Sequence, residues 1–515
     1  GRLDLALDLP LRRLHQTKVR GDYRFINNRV QPVPALPEIT EVNGQLAITE
    51  SSVTAQEIAG KGFGGPVRVQ VRSAGDKVAV QATGQASIVE VSKFFGWPLV
   101  NHLSGQAGWK AEIGIRKRNA DVVVESDLVG VSSPLPDPLN KTANTPLPLR
   151  IERTAPDSTR EQYRITLGRI GQGLVLRRND LWERAVLAVG DAEPRLPERG
   201  LAVRVATPRI DADAWRNFLP EQTNAGAGSE APALPLSVVA LRTPQLHFMG
   251  RDYHQVDLAL RPRDDGWQIG LNTREALGDL VWKSAGEGWL EGNLKRLAIN
   301  PSAAAADTGS SPLDSLPGMN LSVDDLRIGE RALGKLELKA RNDRGAWVLD
   351  NLQLQNPDGR LKGRGVWVHG SRPQTRLDFE LTAANLGQLV SRLGYGEVIR
   401  RGTARLAGDL QWAGPLTVIH YPSLTGQMSV EAGKGQFNKL EPGVGKLLGL
   451  LSLQALPRRL TLDFRDIFSE GLAFDSVDGQ LNVRRGIMRT VKPLRIKAPA
   501  AEIELAGETD LKAET

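Results

Sequence analysis

Short runs of alternating apolar and polar residues recur almost from one end of this chain to the other, and this pattern limits the possible folds most. Leu3, Leu5, Leu7 and Leu9 open it, interleaved with Asp4, Ala6, Asp8 and Pro10. Leu460, Leu462 and Phe464, then Ile503 and Leu505, continue it towards the far end. A period of two gives each strand one apolar and one polar face. A single sheet of such strands leaves an oily face, so the functional question is what covers it.

Turn chemistry divides the strands. Asp264-Asp265-Gly266, Asp343-Arg344-Gly345, Asn356-Pro357-Asp358-Gly359 and Asp478-Gly479 lie between alternating runs, as hairpin connections do. The expectation is an antiparallel meander, not a set of βαβ units. Pro235–Trp282 and Leu316–Trp367 repeat one order of features: a Leu-Arg strand, a glycine turn, an alternating run, a Gly-then-Trp strand start and a closing Trp. Repeats that each leave an apolar face exposed stack into one elongated body. Helices are expected to be few and short: Asp211–Leu219 with Asp213 as cap, Asn385–Leu393, and parts of Ser87–Leu103 and Glu441–Leu456. Proline-rich Ser132–Pro148 and the Ala/Gly/Ser/Pro-rich stretches Gln222–Pro235 and Pro301–Pro317 read as loops.

Chemistry-bearing patterns are missing. With 0 cysteines there are no disulfides, thiolate metal sites or cysteine nucleophiles. The six histidines make no metal motif, and the nearest pair, His247 and His254, lies in a strand-turn-strand stretch. Gly-x-Ser-x-Gly is absent, and Gly60–Gly65 lacks the lysine-hydroxyl ending of a phosphate loop, so it reads as a hairpin turn. Carboxylates mostly occupy the polar positions between apolar ones, as in Leu377-Asp378-Phe379-Glu380-Leu381. No enzyme activity, cofactor or metal is expected. The net charge of +7 is dispersed along strands, without the motifs of a nucleic-acid reader. The longest apolar stretch, Val444–Leu456, is too short and mixed to span a bilayer. The chain opens on Gly1 with no visible signal peptide, and is read as a piece of a longer protein whose anchor lies outside it.

In the last third the residues become distinctive. Leu447-Leu448-Gly449-Leu450-Leu451-Ser452-Leu453-Gln454-Ala455-Leu456-Pro457-Arg458-Arg459-Leu460 leads into Thr461-Leu462-Asp463-Phe464, and Glu470-Gly471-Leu472-Ala473-Phe474-Asp475 follows. Gly408-Asp409-Leu410-Gln411-Trp412 and Tyr421-Pro422-Ser423-Leu424-Thr425-Gly426 stand upstream. These runs resemble the AsmA-like superfamily, specifically its YhdP branch. The resemblance implies a mainly β protein, with an elongated, twisted antiparallel sheet rolled into an open groove of repeating hairpins and a few short amphipathic helices. It divides the chain into a central β-groove region over 1–300, with loop insertions at about 132–148 and 222–235, a flexible loop over 301–317, and an AsmA-like C-terminal groove region over 318–515. It also implies a periplasmic protein, anchored to the inner membrane of a Gram-negative envelope and moving phospholipid toward the outer membrane. Its partners would be phospholipid acyl chains, the inner membrane through an anchor outside this chain, and envelope proteins, with no nucleic acid.

Exposing two acyl chains to water costs on the order of 25 kcal/mol, at about 0.8 kcal/mol for each of some thirty methylenes. A continuous apolar lane removes most of that cost without reaction chemistry. The expected lining is Leu336, Leu338, Trp347, Leu349, Leu352, Leu354, Leu377, Phe379, Leu381, Leu460, Leu462, Phe464, Leu472, Phe474, Leu481 and Val483, each in nonpolar contact with hydrocarbon. Alternation alone favours a dry core packed against a second layer, and with it an elongated envelope scaffold, slightly over the groove; the resemblance reverses this and favours the groove. A carbohydrate-active β-solenoid would need an acidic cleft beside Trp267, Trp282, Trp347 and Trp367.

Overall fold

The computed structural model describes residues 1–8, 18–31, 37–74, 77–95, 98–116, 119–157, 159–179, 181–216, 218, 234–299, 316–370, 372–416, 418–438, 471–499 and 501–511. They fall into two compact units, Gly1–Pro262 and Arg263–Thr515. Each is built on an open sheet of mostly antiparallel neighbours.

In the first unit, antiparallel neighbours follow one another from Arg2–Asp8 to Ser104–Arg116, and on through Asn119–Ser126, Leu149–Thr154, Arg160–Leu167, Gly171–Arg178 and Leu181–Gly190. The expected meander then changes: Leu181–Gly190, Gly200–Ala206 and Leu236–Phe248 pair in parallel. A parallel neighbour requires the chain to travel back along the sheet. Residues 191–199 do so; at about 3.3–3.6 Å each they reach roughly 30 Å. Arg204 Nε donates to Arg195 O, placing this return segment on the face that carries Arg204 and, in register, Ala188. Val186, Ala188 and Ala202 are buried there, while Leu187 on the opposite face is 44% exposed.

The second unit runs as a meander from Gly266–Asn272 through Ala276–Lys283, Trp289–Ile299, Gly318–Ile328, Arg331–Asp343, Ala346–Asn356, Gly359–Val368, Gln374–Ala383, Ala404–Ala413 and Thr425–Phe437 to Leu472–Arg484 and Ile487–Ala498. One pair, Trp289–Ile299 with Gly318–Ile328, is parallel. The second repeat copy of the sequence is a run of four strands in this unit and the first copy contributes its last two, and each sets a tryptophan against a tryptophan across neighbouring strands: Trp267 with Trp282, Trp347 with Trp367.

The turns follow their residues in most places. Arg344 and Gly345 have φ of 50° and 81°, the left-handed pair that a two-residue hairpin turn requires. Phe63-Gly64 closes the glycine-rich stretch Gly60–Gly65 in the same way. Asn356 Oδ1 accepts from the backbone N–H groups of Asp358 and Gly359, closing the Pro-Asp turn. Asp478-Gly479 is the exception, since it lies inside Leu472–Arg484 and the turn is Arg485-Gly486. A Cβ on Gly479 would stand 2.3 Å from Leu494 Cδ1, so this glycine makes room for a neighbouring side chain.

Helices are short, as expected. Asn385 caps Leu386–Val390 through its side chain, and Ile88–Phe95 is followed by a 3₁₀ turn, Pro98–His102. At Ala212–Arg216 the capping group is Asp211, whose Oδ1 accepts from Ala214 N, not Asp213. Asp213 instead receives the backbone N–H groups of Met249 and Gly250. The expected helix in Glu441–Leu456 lies outside the described residues.

The proline-rich loop over 132–148 closes on a buried lysine. Lys141 Nζ donates to the carbonyls of Leu128, Val131 and Thr142 at 2.8, 2.7 and 3.1 Å, and burial pushes its pKa down. Lys141→Met removes the ammonium from all three carbonyls, of which Leu128 O and Thr142 O keep the backbone N–H groups of Val131 and Thr145, and is expected to cost about 1–2 kcal/mol. Faster proteolytic cleavage between 127 and 148 than in the parent protein is the readout; equal rates would show that the loop stands without the ammonium.

Candidate functional site

The site is built by register. In the second unit, Leu280, Gly292, Leu321, Leu338, Leu352, Gly363, Phe379, Gly408, Met428 and Leu481 are successive cross-strand partners. This row crosses ten strands, roughly 40 Å at about 4.8 Å per strand. Beside it runs a second row: Gly278, Leu294, Val323, Leu336, Leu354, Leu361, Leu381, Leu406, Val430 and Gly479. A third holds Met319, Ala340, Leu349, Gly365, Leu377, Leu410, Gly426 and Val483. Partners in register share a face of the sheet, so the rows form one apolar surface. The opposite face carries Arg405 with Glu380, Lys335 with Glu337 and Arg341 with Asp350, pairs too exposed to stabilise the fold much.

Two of these strands hold their apolar residues on one face only because they bulge. Leu349 and Leu352 are three residues apart, as are Val323 and Leu326; in a regular strand each pair would face opposite ways. The register shifts at both places, turning Asp350-Asn351 and Asp324-Asp325 outward.

The surface is covered at its two sides, and Leu294 and Val323 of the second row are enclosed in a cluster with Leu326; from Arg331–Asp343 to Thr425–Phe437 the two inner rows are half-buried. On one side Trp347, Trp367, Thr375 and Trp412 stand in register as a rim, all buried. Residues 414–416 and 418–424 lie against that rim: Trp412 Nε1 donates to Pro415 O and Thr375 Oγ1 to Gly414 O. On the other side the row Gly359, Ala383, Ala404 and Ala432 is small enough to admit a helix. Leu389 of Leu386–Val390 is buried there, 3.1 Å from where a Cβ of Gly359 would be. Arg392 in the following turn is held by Asp358 at 2.6 Å.

The expected lining therefore divides. Leu336, Leu338, Leu352, Leu354, Leu377, Phe379 and Leu381 lie on the three rows and are half-buried, each with part of its surface uncovered. Trp347, Leu349, Leu481 and Val483 lie on the same face but are almost wholly enclosed, at 2%, 2%, 4% and 0% exposure. Leu472 and Phe474 pack with Phe437, Val477, Leu494 and Ile496 in a cluster separate from that of Leu481 and Val483. Leu460, Leu462 and Phe464 lie outside the described residues. Sequence reasoning missed Leu361, Leu406, Leu410, Met428 and Val430, whose alternation is broken by glycines at 363, 365, 408 and 426.

It placed a groove region over 1–300 but named no lining residue in the first unit. There Ile58, Val69, Ala82, Ala111, Val124, Ile151, Ile165, Gly173, Leu187, Val203, Val239 and Leu260 form a continuous row of the same kind. The parallel joint does not interrupt it, because the return segment 191–199 lies on the other face. Among the described residues no second sheet layer lies over the rows of either unit, and no three His, Asp or Glu side chains gather as metal ligands. No helix among them is long and apolar enough to cross a membrane.

Comparison with known proteins points the same way. The chain is 25% identical over 538 residues to the intermembrane phospholipid transporter YhdP of Escherichia coli (strain K12). That alignment takes in 98% of this chain and 41% of the relative, so the chain spans about two-fifths of the relative's length. No solved structure matches. The family described as YhdP protein matches residues 1–515. With register rows of one design in both units and a family match from its first residue to its last, the chain belongs to the YhdP family.

Proposed function

We propose that this chain is a lipid-carrying section of a phospholipid transporter working between the two membranes of a Gram-negative envelope. The observation that carries this reading is the half-buried stretch of the two rows in the second unit, Leu336, Leu338, Leu352, Leu354, Phe379 and Leu381 in register with no second sheet layer over them among the described residues. A surface of that length left to water would be strongly unfavourable, at about 25 cal/mol for each Å² of apolar area. Acyl chains laid along it remove water from protein and lipid at once. The protein acts by shielding, with no covalent step, and the side chains named above supply only nonpolar contact. Leu336, Leu338, Leu352, Leu354, Leu377, Phe379 and Leu381 make that contact; the enclosed Trp347, Leu349, Leu481 and Val483 support them from the rim. In the whole protein such a section would stand in the periplasm and be tethered to the inner membrane by sequence beyond this chain.

The test is to purify the chain from a Gram-negative periplasm and extract its lipid. Phospholipid copurifying with the protein, and uptake of labelled phospholipid from vesicles, are the expected results. A lipid-free protein that takes up none would reject the reading.

A plug gives an independent check. A Cβ on Gly363 would meet Leu352 and Leu377 only at ordinary contact distance, 3.5 and 3.6 Å from their methyl carbons. Gly363→Phe should therefore fold and set a ring across the open row between Leu352 and Phe379. Labelled lipid uptake is expected to fall at least tenfold while the melting temperature stays within a few degrees of the parent. Undiminished uptake would mean that lipid does not pass this row.

A further inference from the structure

One place on the apolar face of the first unit is charged. Arg153 is the register partner of Val122 and Tyr163, one row over from Val124, Ile151 and Ile165. One row further out, Glu161 faces Arg177. The four side chains are joined: Arg153 Nη2 donates to Glu161 Oε1, Arg177 Nη1 to Glu161 Oε2 at 3.2 Å, and the Tyr163 hydroxyl to Glu161 Oε2 at 3.0 Å. Arg153 Nη1 also reaches the carbonyl of Ala120. Trp182 backs the group, with Arg177 over its ring at 5.3 Å and the Tyr163 ring at 5.6 Å.

Three properties separate this cluster from the ion pairs on the polar face. It shares a face with the hydrocarbon rows. The two guanidinium side chains are 26% and 28% exposed, sheltered from bulk water yet reachable from the face. It also lies to one side of the apolar row at a fixed distance, since residues two apart along a strand are separated by about 6.8 Å. Partial burial works against the Glu161 carboxylate, but the hydrogen bonds from Arg153 and Tyr163 outweigh it and hold its pKa below the ordinary range. The cluster is thus ionised in neutral solution. A planar guanidinium fork matches the paired oxygens of a phosphate.

We propose that Arg153, with Tyr163 and Arg177 beside it, binds the phosphate of a phospholipid headgroup while the acyl chains lie along the Val124–Ile151–Ile165 row. This rests on the lipid-carrying reading above and adds an orientation to it: heads lie toward the strand ends bearing Arg153 and Arg177, tails lie across the strands. Glu161 holds Arg153 in place and competes with the phosphate for its fork.

The experiment loads the whole chain with either a phospholipid or diacylglycerol of the same acyl chains and reads retention by native mass spectrometry. Arg153→Gln should lower phospholipid retention at least fivefold and leave diacylglycerol unchanged. Glu161→Gln should raise phospholipid retention while lowering the melting temperature, because it frees the fork and breaks the latch. A merely structural cluster predicts that both variants change both lipids alike, in step with stability; that result would overturn the proposal. Arg153→Lys, which keeps charge and loses the fork, should fall between parent and Arg153→Gln, and covers the case in which Arg153→Gln does not fold. Inorganic phosphate, titrated alone, is expected not to bind at millimolar concentration; Arg153-dependent binding of it without lipid preference would identify a free-anion site and overturn the headgroup assignment. If the parent retains neither lipid, the lipid-carrying reading falls and the headgroup site with it. Equal retention of both lipids in every variant removes the headgroup site alone.

Discussion

Phe379→Asp is expected to strip bound lipid from the protein and leave it folded. Phe379 sits mid-row, half-buried, with Gly363 and Gly408 as its cross-strand partners. No bulky neighbour leans on the ring from either side within the row, so part of its surface is open already. Its loss should cost folding only about 1–2 kcal/mol, a fraction of full phenylalanine burial. An ionised carboxylate placed against hydrocarbon is far more costly, several kcal/mol at the least. Lipid retention should fall at least a hundredfold, which corresponds to about 2.8 kcal/mol. Leu352→Asp, one strand beyond Gly363 in the same row, should behave alike. Native mass spectra report the lipid and a thermal melt reports the fold. Loss of both together would mean that the row is a closed core and that the transport reading is wrong.

Trp412→Ala is expected to do the opposite, acting on stability first. Trp412 is 2% exposed, packs against Leu424, Leu481, Val483 and Met488, and donates its indole N–H to Pro415 O at 3.0 Å. Truncation leaves a cavity where the rim meets the covering residues 414–416 and 418–424, and Pro415 O keeps only the backbone N–H of Val418 at 3.3 Å. About 3–5 kcal/mol should be lost, the range for large aromatic residues in cores. Urea unfolding followed by circular dichroism measures it, and Trp412→Phe should recover part. A loss below 1 kcal/mol would show that the rim is not what holds the covering segment down.

The two substitutions act on one face of one sheet, and the sequence did not separate them. Alternation identifies Phe379 and Trp412 equally as apolar positions, because it records the face and not what covers it. Whether a residue lies under the segment that follows Trp412 or in the open depends on contacts between residues far apart along the chain. Phe474 shows the same limit. Its alternation with Asp475 reads like that of Leu462 with Asp463, yet it faces Phe437 at 4.8 Å in a packed cluster. A charge there would be buried, and Phe474→Glu is expected to disturb the fold.

Other features were legible for good physical reasons. Asn385 announced its helix because an amide side chain before an apolar stripe satisfies helix N–H groups. Arg344-Gly345 announced its turn because the geometry demands positive φ. The parallel joints were not legible, since strand direction leaves no mark on side-chain period. The polar doublets Asp324-Asp325 and Asp350-Asn351 look like breaks in the pattern, and only register shows that they preserve it. The glycines in the rows hid Leu361 and Leu406 in the same way: a position with no side chain breaks an alternation without leaving the face.

The return segment 191–199 has a practical consequence. Glu193 is exposed on it, on the side of the sheet away from the rows, and the chain contains 0 cysteines. A single Glu193→Cys substitution therefore offers a unique attachment point for a fluorophore or a bead. Cargo could be watched arriving on the lane while the reporter hangs behind it, out of the way.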